Sequence, residues 1–575
     1  QPIRRALIIG SCLSELWCEK LDTENFNFEI DLYFVGKIPD RPKHAISEYD
    51  FQIVQMPLRQ MVPDESFVRL PHDDLGAHEN LFAHSLRVMR HLFANSMTWN
   101  RTDGLLTFVV PFATPQQNLL GRLFPKNDLR NPAHFIERLN QSLAEEVSGY
   151  ANTYMIDVNE IMSTYGRKFV SEDMIAQFNH GSFIGDYDTQ YDRDRLEAAV
   201  PATRMYYTAV SEVISAIWHE IYSMYRTIKG TDAVKMVVLD LDDTLWRGVV
   251  AEMAPGDMLT TEGWPKAFWE TLLFLKRRGI LLAIISKNEE SRVREVWDEI
   301  LEGDLKLDDF VAHKINWLPK SQNMKEILEY VNVLPNSVVY IDDNPAQRAE
   351  IKEAFPDIRV MGGTPARWRH VLLFSSETQV SKITDESSKR TDMVRAQIQR
   401  EEARRELNQE DFLSSLGVSM TCIEITDTSH PRFARAMELI NKTNQYNTTG
   451  RRWTYDQLYS ALSAGYRLVA FDVSDRYTNY GIIGVVVIHE GTIEQFVMSC
   501  RVMGMEIENA IVAHAAQTIR GDGGSDVAGV LIETGRNTPC LDVFAKCGFT
   551  RDRDGWVLSG RTATSVPKHV EIRRE

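Results

Sequence analysis

The 575 residues are 43% hydrophobic and 25% charged, a globular composition that excludes a disordered chain and is long enough for three or four domains. A formal net charge of −17 excludes a nucleic-acid surface, which needs clustered Lys and Arg, and admits small anions only where a site is locally positive. No stretch reaches the roughly 18 consecutive apolar residues of a membrane span. The cysteines at 12, 18, 422, 500, 540 and 547 form no CxxC pair, which argues against zinc, and read as reduced thiols of a cytoplasmic protein.

In chain order, QPIRRALIIGSC opens with Gln, as in a processed or trimmed chain, and its apolar run is too short for a signal peptide. RRALIIGS, FEIDLYFVG, LLTFVVPF and NTYMIDVN are predicted strands; HSLRVMRHLF and NPAHFIERLNQSLAEEV are predicted helices. This alternation predicts an α/β domain over 1–230, with a polar and aromatic loop at 172–198 and a helix over 203–227. A second α/β unit follows over 231–376, with buried strands VKMVVLDL, ILLAIIS and SVVYIDD. Residues 377–411 are predicted as a charged linker with a solvated helix over 384–410. A third unit occupies 412–575: YRLVAFDVS and IGVVVIHE pair antiparallel, and FVMSCRVMGMEIENA runs from strand through loop into a helix over 506–519, followed by the strand VAGVLIET.

The strongest chemical signal lies at the end of VVLDLDDT. Asp240 and Asp242 stand two residues apart at a strand terminus, where one carboxylate can attack phosphorus while the other carries protons. Two carboxylates repel a phosphate, so a divalent cation is required, and oxygen ligands favour Mg²⁺. Ser286 ends ILLAIIS, placed to hydrogen-bond a phosphoryl group with Thr244; Lys320 can neutralise charge; Asp342 and Asp343 end SVVYIDD and can complete a metal site. Ligands of parallel α/β sheets sit at the carboxyl ends of strands. Acids at strand ends can also merely cap turns, but these four elements in this order favour catalysis.

The set resembles the haloacid dehalogenase phosphohydrolases. That resemblance implies Asp240 as nucleophile, Asp242 as general acid/base, and Mg²⁺ held by Asp240, the backbone carbonyl of Asp242, and Asp342 with or without Asp343. The gaps from Asp240 to Ser286 and from Ser286 to Lys320 are too short for a full cap domain, so a phosphate carried on a bulky partner can enter.

Residues 415–560 resemble a GCN5-related N-acetyltransferase fold. Arg501-Val502-Met503-Gly504-Met505-Glu506 is similar to that fold's R-x-x-G-x-G/A loop, with Glu506 at the last position. The resemblance implies that Arg501, Met503, Gly504 and the following helix N-terminus meet a pantetheine phosphate, with Asn537 and Gly548-Phe549 in the second half of the fold. Cys500 precedes the loop. It can be a core residue, or a thiol that passes an acyl group to a carrier thiol, since Arg501 and the helix N-terminus favour thiolate. NKTNQYNTTGRR carries Asn441, Asn444 and Gln445 with Arg451-Arg452; such a run either satisfies its own backbone or lines a pocket for a polyhydroxylated anion.

DLDDTLWRGVVAE, INWLPKSQN, YIDDNPAQRAE, NKTNQYN and SCRVMG, in this order over about 234–560, resemble the FkbH-like glyceryl transferase/phosphatases. The resemblance implies loading of a glyceryl group from 1,3-bisphosphoglycerate onto an acyl carrier protein in polyketide biosynthesis, with loss of phosphate. If Asp240 attacked the acyl phosphate, no thioester could form. The thiol must therefore take the acyl carbon first, and the aspartate site removes the remaining phosphate. The alternatives are a CoA-dependent acyltransferase fused to a phosphatase, with Cys500 in the core, and a carrier-binding scaffold without turnover. ALIIGSCLSELW resembles the first block of SGNH-type hydrolases, with Cys12 in the place of serine and Asp157-Val158-Asn159-Glu160 lacking the later His. The first domain is therefore expected to be degenerate, with Cys12 the competing acyl thiol.

Overall fold

The computed structural model describes residues 3–23, 28–63, 66–115, 120–121, 123–167, 209–252, 261–301, 303–443, 445–453, 455–521, 526–535, 537–552 and 555–574. The predicted loop at 172–198 lies outside them. The chain divides into two compact units, Gln1–Tyr225 with Thr454–Asp456, and Arg226–Trp453 with Gln457–Glu575. Both are mixed α/β. Among the described residues no helix is long and apolar enough to cross a membrane.

The first unit holds a five-stranded parallel sheet in the order β2-β1-β3-β4-β5. Its strands are β1 (Arg5–Gly10), β2 (Glu29–Phe34), β3 (Phe51–Gln55), β4 (Thr107–Val110) and β5 (Thr153–Met155). The four strands predicted from sequence are present, but the central β3 escapes a hydrophobicity scan. Its sequence FQIVQ buries Gln52 and Gln55; the Gln52 amide donates to Thr107 Oγ1 at 2.9 Å. HSLRVMRHLF falls within helix Leu75–Ser96, and NPAHFIERLNQSLAEEV matches helix Pro132–Ser148 with Asn131 as its N-cap; the helix predicted over 203–227 meets Ala209–Lys229, its residues 203–208 lying outside the described ones.

The second unit holds two sheets. One is five-stranded and parallel, order β10-β9-β6-β7-β8: β6 (Met236–Leu239), β7 (Leu281–Ser286), β8 (Ala312–Ile315), β9 (Val338–Ile341) and β10 (Arg359–Met361). Helices cover both of its faces, so the inner strands β6, β7 and β9 are buried throughout, while the edge strands β8 and β10 carry His313, Lys314 and Arg359. Val237, Leu239, Leu282 and Ile284 pack on one side with Phe268, Leu272 and Val293 from helices Trp264–Arg277 and Glu290–Leu301. Met236, Val238, Ala283 and Ile285 pack on the other with Met324 and Ile327 from helix Lys320–Val331.

The other sheet is eight-stranded and mixed, order β16-β17-β15-β14-β13-β12-β11-β18. It comprises β11 (Val418–Ile425), β12 (Arg467–Ser474), β13 (Asn479–His489), β14 (Thr492–Met498), β15 (Val527–Gly529), β16 (Thr550–Asp552), β17 (Gly555–Leu558) and β18 (Val570–Arg574). β12 and β13 form the predicted antiparallel pair. The predicted strand VAGVLIET shortens to β15, which pairs in parallel with β14 only at Thr492–Ala528 and Ile493–Gly529. Beyond that point residues 446–448 bridge the parting strands: Met498 N donates to Tyr446 O, Thr448 N to Phe496 O, and Ile532 N to Thr448 O.

The linker helix corrects a sequence expectation. Helix Arg390–Glu406 is not solvated all round: Met393, Ala396, Ile398 and Arg400 are buried. Ile398 belongs to the core beneath the parallel sheet, while Arg400 reaches the mixed sheet. Arg400 is 2% exposed; its guanidinium donates to Tyr480 Oη (2.7 Å), to the Arg501 carbonyl (2.8 Å) and toward Met505 Sδ (3.0 Å). Composition concealed this because one buried charge with partners distant in sequence looks like any surface Arg.

Candidate active site

β6 ends at Leu239, so the next residue, Asp240, leaves the sheet at its carboxyl edge. β7 delivers Ser286 to the same edge, β9 delivers Asp342 and Asp343, and the first residue of helix Lys320–Val331 supplies the lysine. Lys320 Nζ lies 3.1 Å from Asp240 Oδ1 and 2.6 Å from Asp342 Oδ2, with its side chain almost wholly buried. Tyr340 Oη donates to the same Asp342 oxygen, and Asn344 N donates to Asp342 Oδ1 at 2.8 Å. Burial pushes Asp240 up to about 6, against the pull of the Lys320 charge and with Asp342 adding to the rise. Burial likewise raises Asp343, helped by Asp342 and Asp243.

One carboxylate oxygen from each of Asp240, Asp342 and Asp343 can lie within 4.8 Å of the others. Asp240 Oδ1 is buried and accepts no hydrogen bond; the Lys320 ammonium beside it makes an ion pair without hydrogen-bond geometry. An all-carboxylate donor set with a bare buried oxygen fits a hard divalent cation such as Mg²⁺.

Asp242 is oriented differently. Its Oδ1 accepts from Trp246 Nε1 (3.0 Å) and Val250 N (3.1 Å), and its Oδ2 from Asn288 Nδ2 (2.9 Å). The Asn288 amide also donates to Ser286 Oγ at 3.2 Å. Asp242 is thus held by groups outside the carboxylate cluster, and its side chain is not part of the metal-capable set. Thr244 serves Asp343: its hydroxyl donates to Asp343 Oδ1 (3.4 Å) and accepts from Asp343 N (3.1 Å). Arg348 ties down the carbonyls of Asp342 and Asp343 at 2.6 and 2.7 Å. Asp243 adopts a left-handed φ of 49°, uncommon for a non-glycine residue, and its carboxylate accepts from Gly248 N at 2.8 Å.

Sequence reasoning missed Asn288, Trp246, Tyr340 and Arg348. Asn288 and Trp246 each lie within four residues of a predicted site residue, so proximity was the available signal.

On the mixed sheet the predicted residues gather around β14 and the loop before helix Ile507–Gly521. Cys500 begins a short turn, Cys500–Val502; its side chain lies outside the described residues, as does Asn444. Gly504 takes a φ of 84°, and a Cβ there would sit 3.1 Å from the Arg404 guanidinium. Arg501 Nε donates to Ser499 Oγ at 3.1 Å, and its guanidinium also contacts Met393 Sδ of the linker helix. Met503 is half-buried against the core.

Much of the polar run braces itself. Asn441 exchanges hydrogen bonds with the backbone of Trp453 in both directions. Asn447 Oδ1 accepts from Gln495 Nε2 and Gly450 N, both at 2.9 Å. Asn537 Nδ2 donates to the carbonyls of Asn447 and Ile532, both at 2.9 Å. Gln445 is exposed. Arg451 lies over the Trp453 ring with its guanidinium carbon 3.4 Å from the centroid. Glu508, in the first turn of helix Ile507–Gly521, has a buried Oε2 without a hydrogen-bond partner, and burial raises its pKa.

In the first unit Cys12 is exposed in the turn after β1, and Asp157 caps helix Val158–Tyr165 by accepting from Glu160 N at 2.8 Å.

No protein-family model matches the chain, and no curated protein matches it. Solved structures do. The N-terminal part of Bacteroides fragilis protein BF1531, containing a phosphatase domain and complexed with Mg, is 20% identical with a TM-score of 0.47, over 67% of this chain and 95% of that one. The cobalt-bound deoxy-D-mannose-octulosonate 8-phosphate phosphatase of Haemophilus influenzae is 15% identical with a TM-score of 0.20, over 26% and 91%. The 3-deoxy-D-manno-octulosonate 8-phosphate phosphatase of Moraxella catarrhalis, in complex with magnesium, phosphate and KDO, is 17% identical with a TM-score of 0.18, over 30% and 91%.

Proposed function

We propose that this chain is a Mg²⁺-dependent phosphatase of haloacid dehalogenase type that also loads a glyceryl group onto an acyl carrier protein. The observation that carries the phosphatase half is the convergence of Asp240, Lys320 and Asp342 at one sheet edge, with Lys320 Nζ 3.1 Å from Asp240 and 2.6 Å from Asp342. Asp240, Asp342 and Asp343 would hold Mg²⁺, with the Asp242 carbonyl as a further ligand. When bound, the ion neutralises phosphoryl oxygens and polarises the phosphorus.

The remaining chemistry belongs to the side chains. An Asp240 oxygen attacks phosphorus, and the bond to the leaving oxygen breaks as Asp242 gives that oxygen a proton. Asp242 then takes a proton from the water that displaces Asp240. Ser286 and Lys320 hold the phosphoryl group. Asn288, Trp246 and Val250 N keep Asp242 aimed.

The transferase half takes 1,3-bisphosphoglycerate. The thiolate of Cys500 attacks the acyl carbon, the bond from that carbon to the phosphate oxygen breaks, and inorganic phosphate leaves, giving a 3-phosphoglyceryl thioester. The pantetheine thiol of the carrier, received at Arg501–Gly504, displaces Cys500. The order of elements along the mixed sheet supports this reading: loop, helix N-terminus and the braced 441–453 run lie together around β14. We place the chain in the cytoplasm, where such a carrier protein works. The competing reading is a CoA-dependent acyltransferase with Cys500 in the core.

Intact-protein mass after incubation with enzymatically generated 1,3-bisphosphoglycerate and Mg²⁺, followed by peptide mapping, tests the proposal. An adduct on Cys500 is expected. An adduct on Cys12 moves the transferase into the first unit. Phosphate release without any adduct leaves a phosphatase and favours the CoA-type reading.

A further inference from the structure

Trp317 and Leu318 are 69% and 44% exposed in the loop between β8 and helix Lys320–Val331. The loop is fixed at both ends to the active site. Asn316 N donates to the carbonyl of Ser286 at 3.0 Å, and Lys320, next after Pro319, sits on Asp240. It is braced within as well: Asn316 Oδ1 accepts from Leu318 N (3.0 Å) and from Nδ2 of the buried Asn323 (2.9 Å). At the base of the helix, Glu350 accepts from both the amide and the hydroxyl of Ser321 at 2.8 Å.

An indole held in water by so rigid a loop forgoes burial that stabilises at about 25 cal/mol per Å². Among the described residues no aromatic ring packs on Trp317. Because the loop's ends are fixed to Ser286 and, through Lys320, to Asp240, a group attached to a phosphate held there is the occupant its position favours.

We propose that Trp317 is a specificity-determining residue that stacks on the leaving group of the phosphate ester. The site thereby selects monoesters whose leaving group continues into a flat or extended apolar portion. This rests on the phosphatase reading above.

The test is equilibrium binding of 1-naphthyl phosphate and of inorganic phosphate, with Mg²⁺, to the Asp240→Asn protein, which does not turn over. Affinity for 1-naphthyl phosphate is expected to exceed that for inorganic phosphate at least tenfold. That ratio should collapse in the Asp240→Asn/Trp317→Ala protein and persist largely in the Trp317→Phe counterpart. A ratio near one at the outset, or one unchanged by Trp317→Ala, overturns the proposal. Failure of the phosphatase reading shows separately, as absence of phosphate release by the wild-type protein while the binding preference persists.

Discussion

Arg400→Ala should destabilise the mixed sheet by more than its position on a charged helix suggests. The Arg400 and Asp475 side chains are 3% and 0% exposed, 3.9 Å apart, with Tyr480 Oη relaying between them at 2.7 and 2.8 Å. Removing one member of a buried pair costs about 3–5 kcal/mol, because the other charge is left uncompensated. Asp475 would keep the amides of Tyr477 and Thr478 at 2.8 and 2.9 Å, which places the loss at the lower end, about 3 kcal/mol. At about 1.4 kcal/mol per tenfold, hydrogen-exchange protection of the β13 and β14 amides should fall roughly a hundredfold. Mass spectrometry of peptides spanning 479–498 reads this directly. A companion Arg400→Met/Asp475→Asn protein, which leaves no buried charge, should recover much of the protection. A fall below about threefold in Arg400→Ala would refute the reasoning.

Asn288→Ala removes the donor to Asp242 Oδ2 and leaves the Trp246 and Val250 donors in place. A ten- to hundredfold fall in kcat for phosphate release is expected, about 1.4–2.7 kcal/mol, with KM little changed; an equal rise in KM would assign Asn288 to substrate binding instead. Chelation with EDTA should abolish phosphate release and added Mg²⁺ restore it; full activity in EDTA contradicts the carboxylate reading. Glu508→Gln should alter the pH dependence of stability. The folded-state pKa of Glu508 lies above its unfolded value, so folding is favoured by its proton at low pH and loses that contribution as pH rises through the raised value. The variant should therefore be more stable than the wild type by urea titration at pH 8, with the gap closing as pH falls below the ordinary glutamate range; a constant gap counts against a titrating Glu508.

In the second unit's parallel sheet, β6, β7 and β9 were legible because they are apolar on both faces and run into Asp240, Ser286 and Asp342; the edge strands AHKI and RVM, short and partly polar, were not. VVLDLDD, ILLAIIS and SVVYIDD each carry hydrophobic pattern and chemistry in one run. Lys320 was legible through its place in the order of the elements. Elements whose meaning depends on distant partners were not. β3 buries glutamines; the Gln52 Nε2 donates to Thr107 on another strand, while its buried Oε1 has no partner among the described residues. The burial of Arg400 is set by Tyr480 and Asp475, and the bracing of Asn447 by Gln495, none of them near in sequence. Trp246 and Asn288 were overlooked for the opposite reason. They lie beside predicted site residues, but an indole and an amide announce no reaction until their hydrogen bonds to Asp242 are seen.

The proposed phosphatase uses Asp240 as nucleophile among the carboxylates around Lys320. Its most direct test is inorganic phosphate release from 1-naphthyl phosphate by wild-type and Asp240→Asn proteins, each with and without Mg²⁺. Release by the wild-type protein only when Mg²⁺ is present is expected, with a loss of at least about a thousandfold in Asp240→Asn with its fold intact, about 4 kcal/mol of transition-state stabilisation. Release by Asp240→Asn at the wild-type rate, or none by the wild-type protein with Mg²⁺, would contradict it.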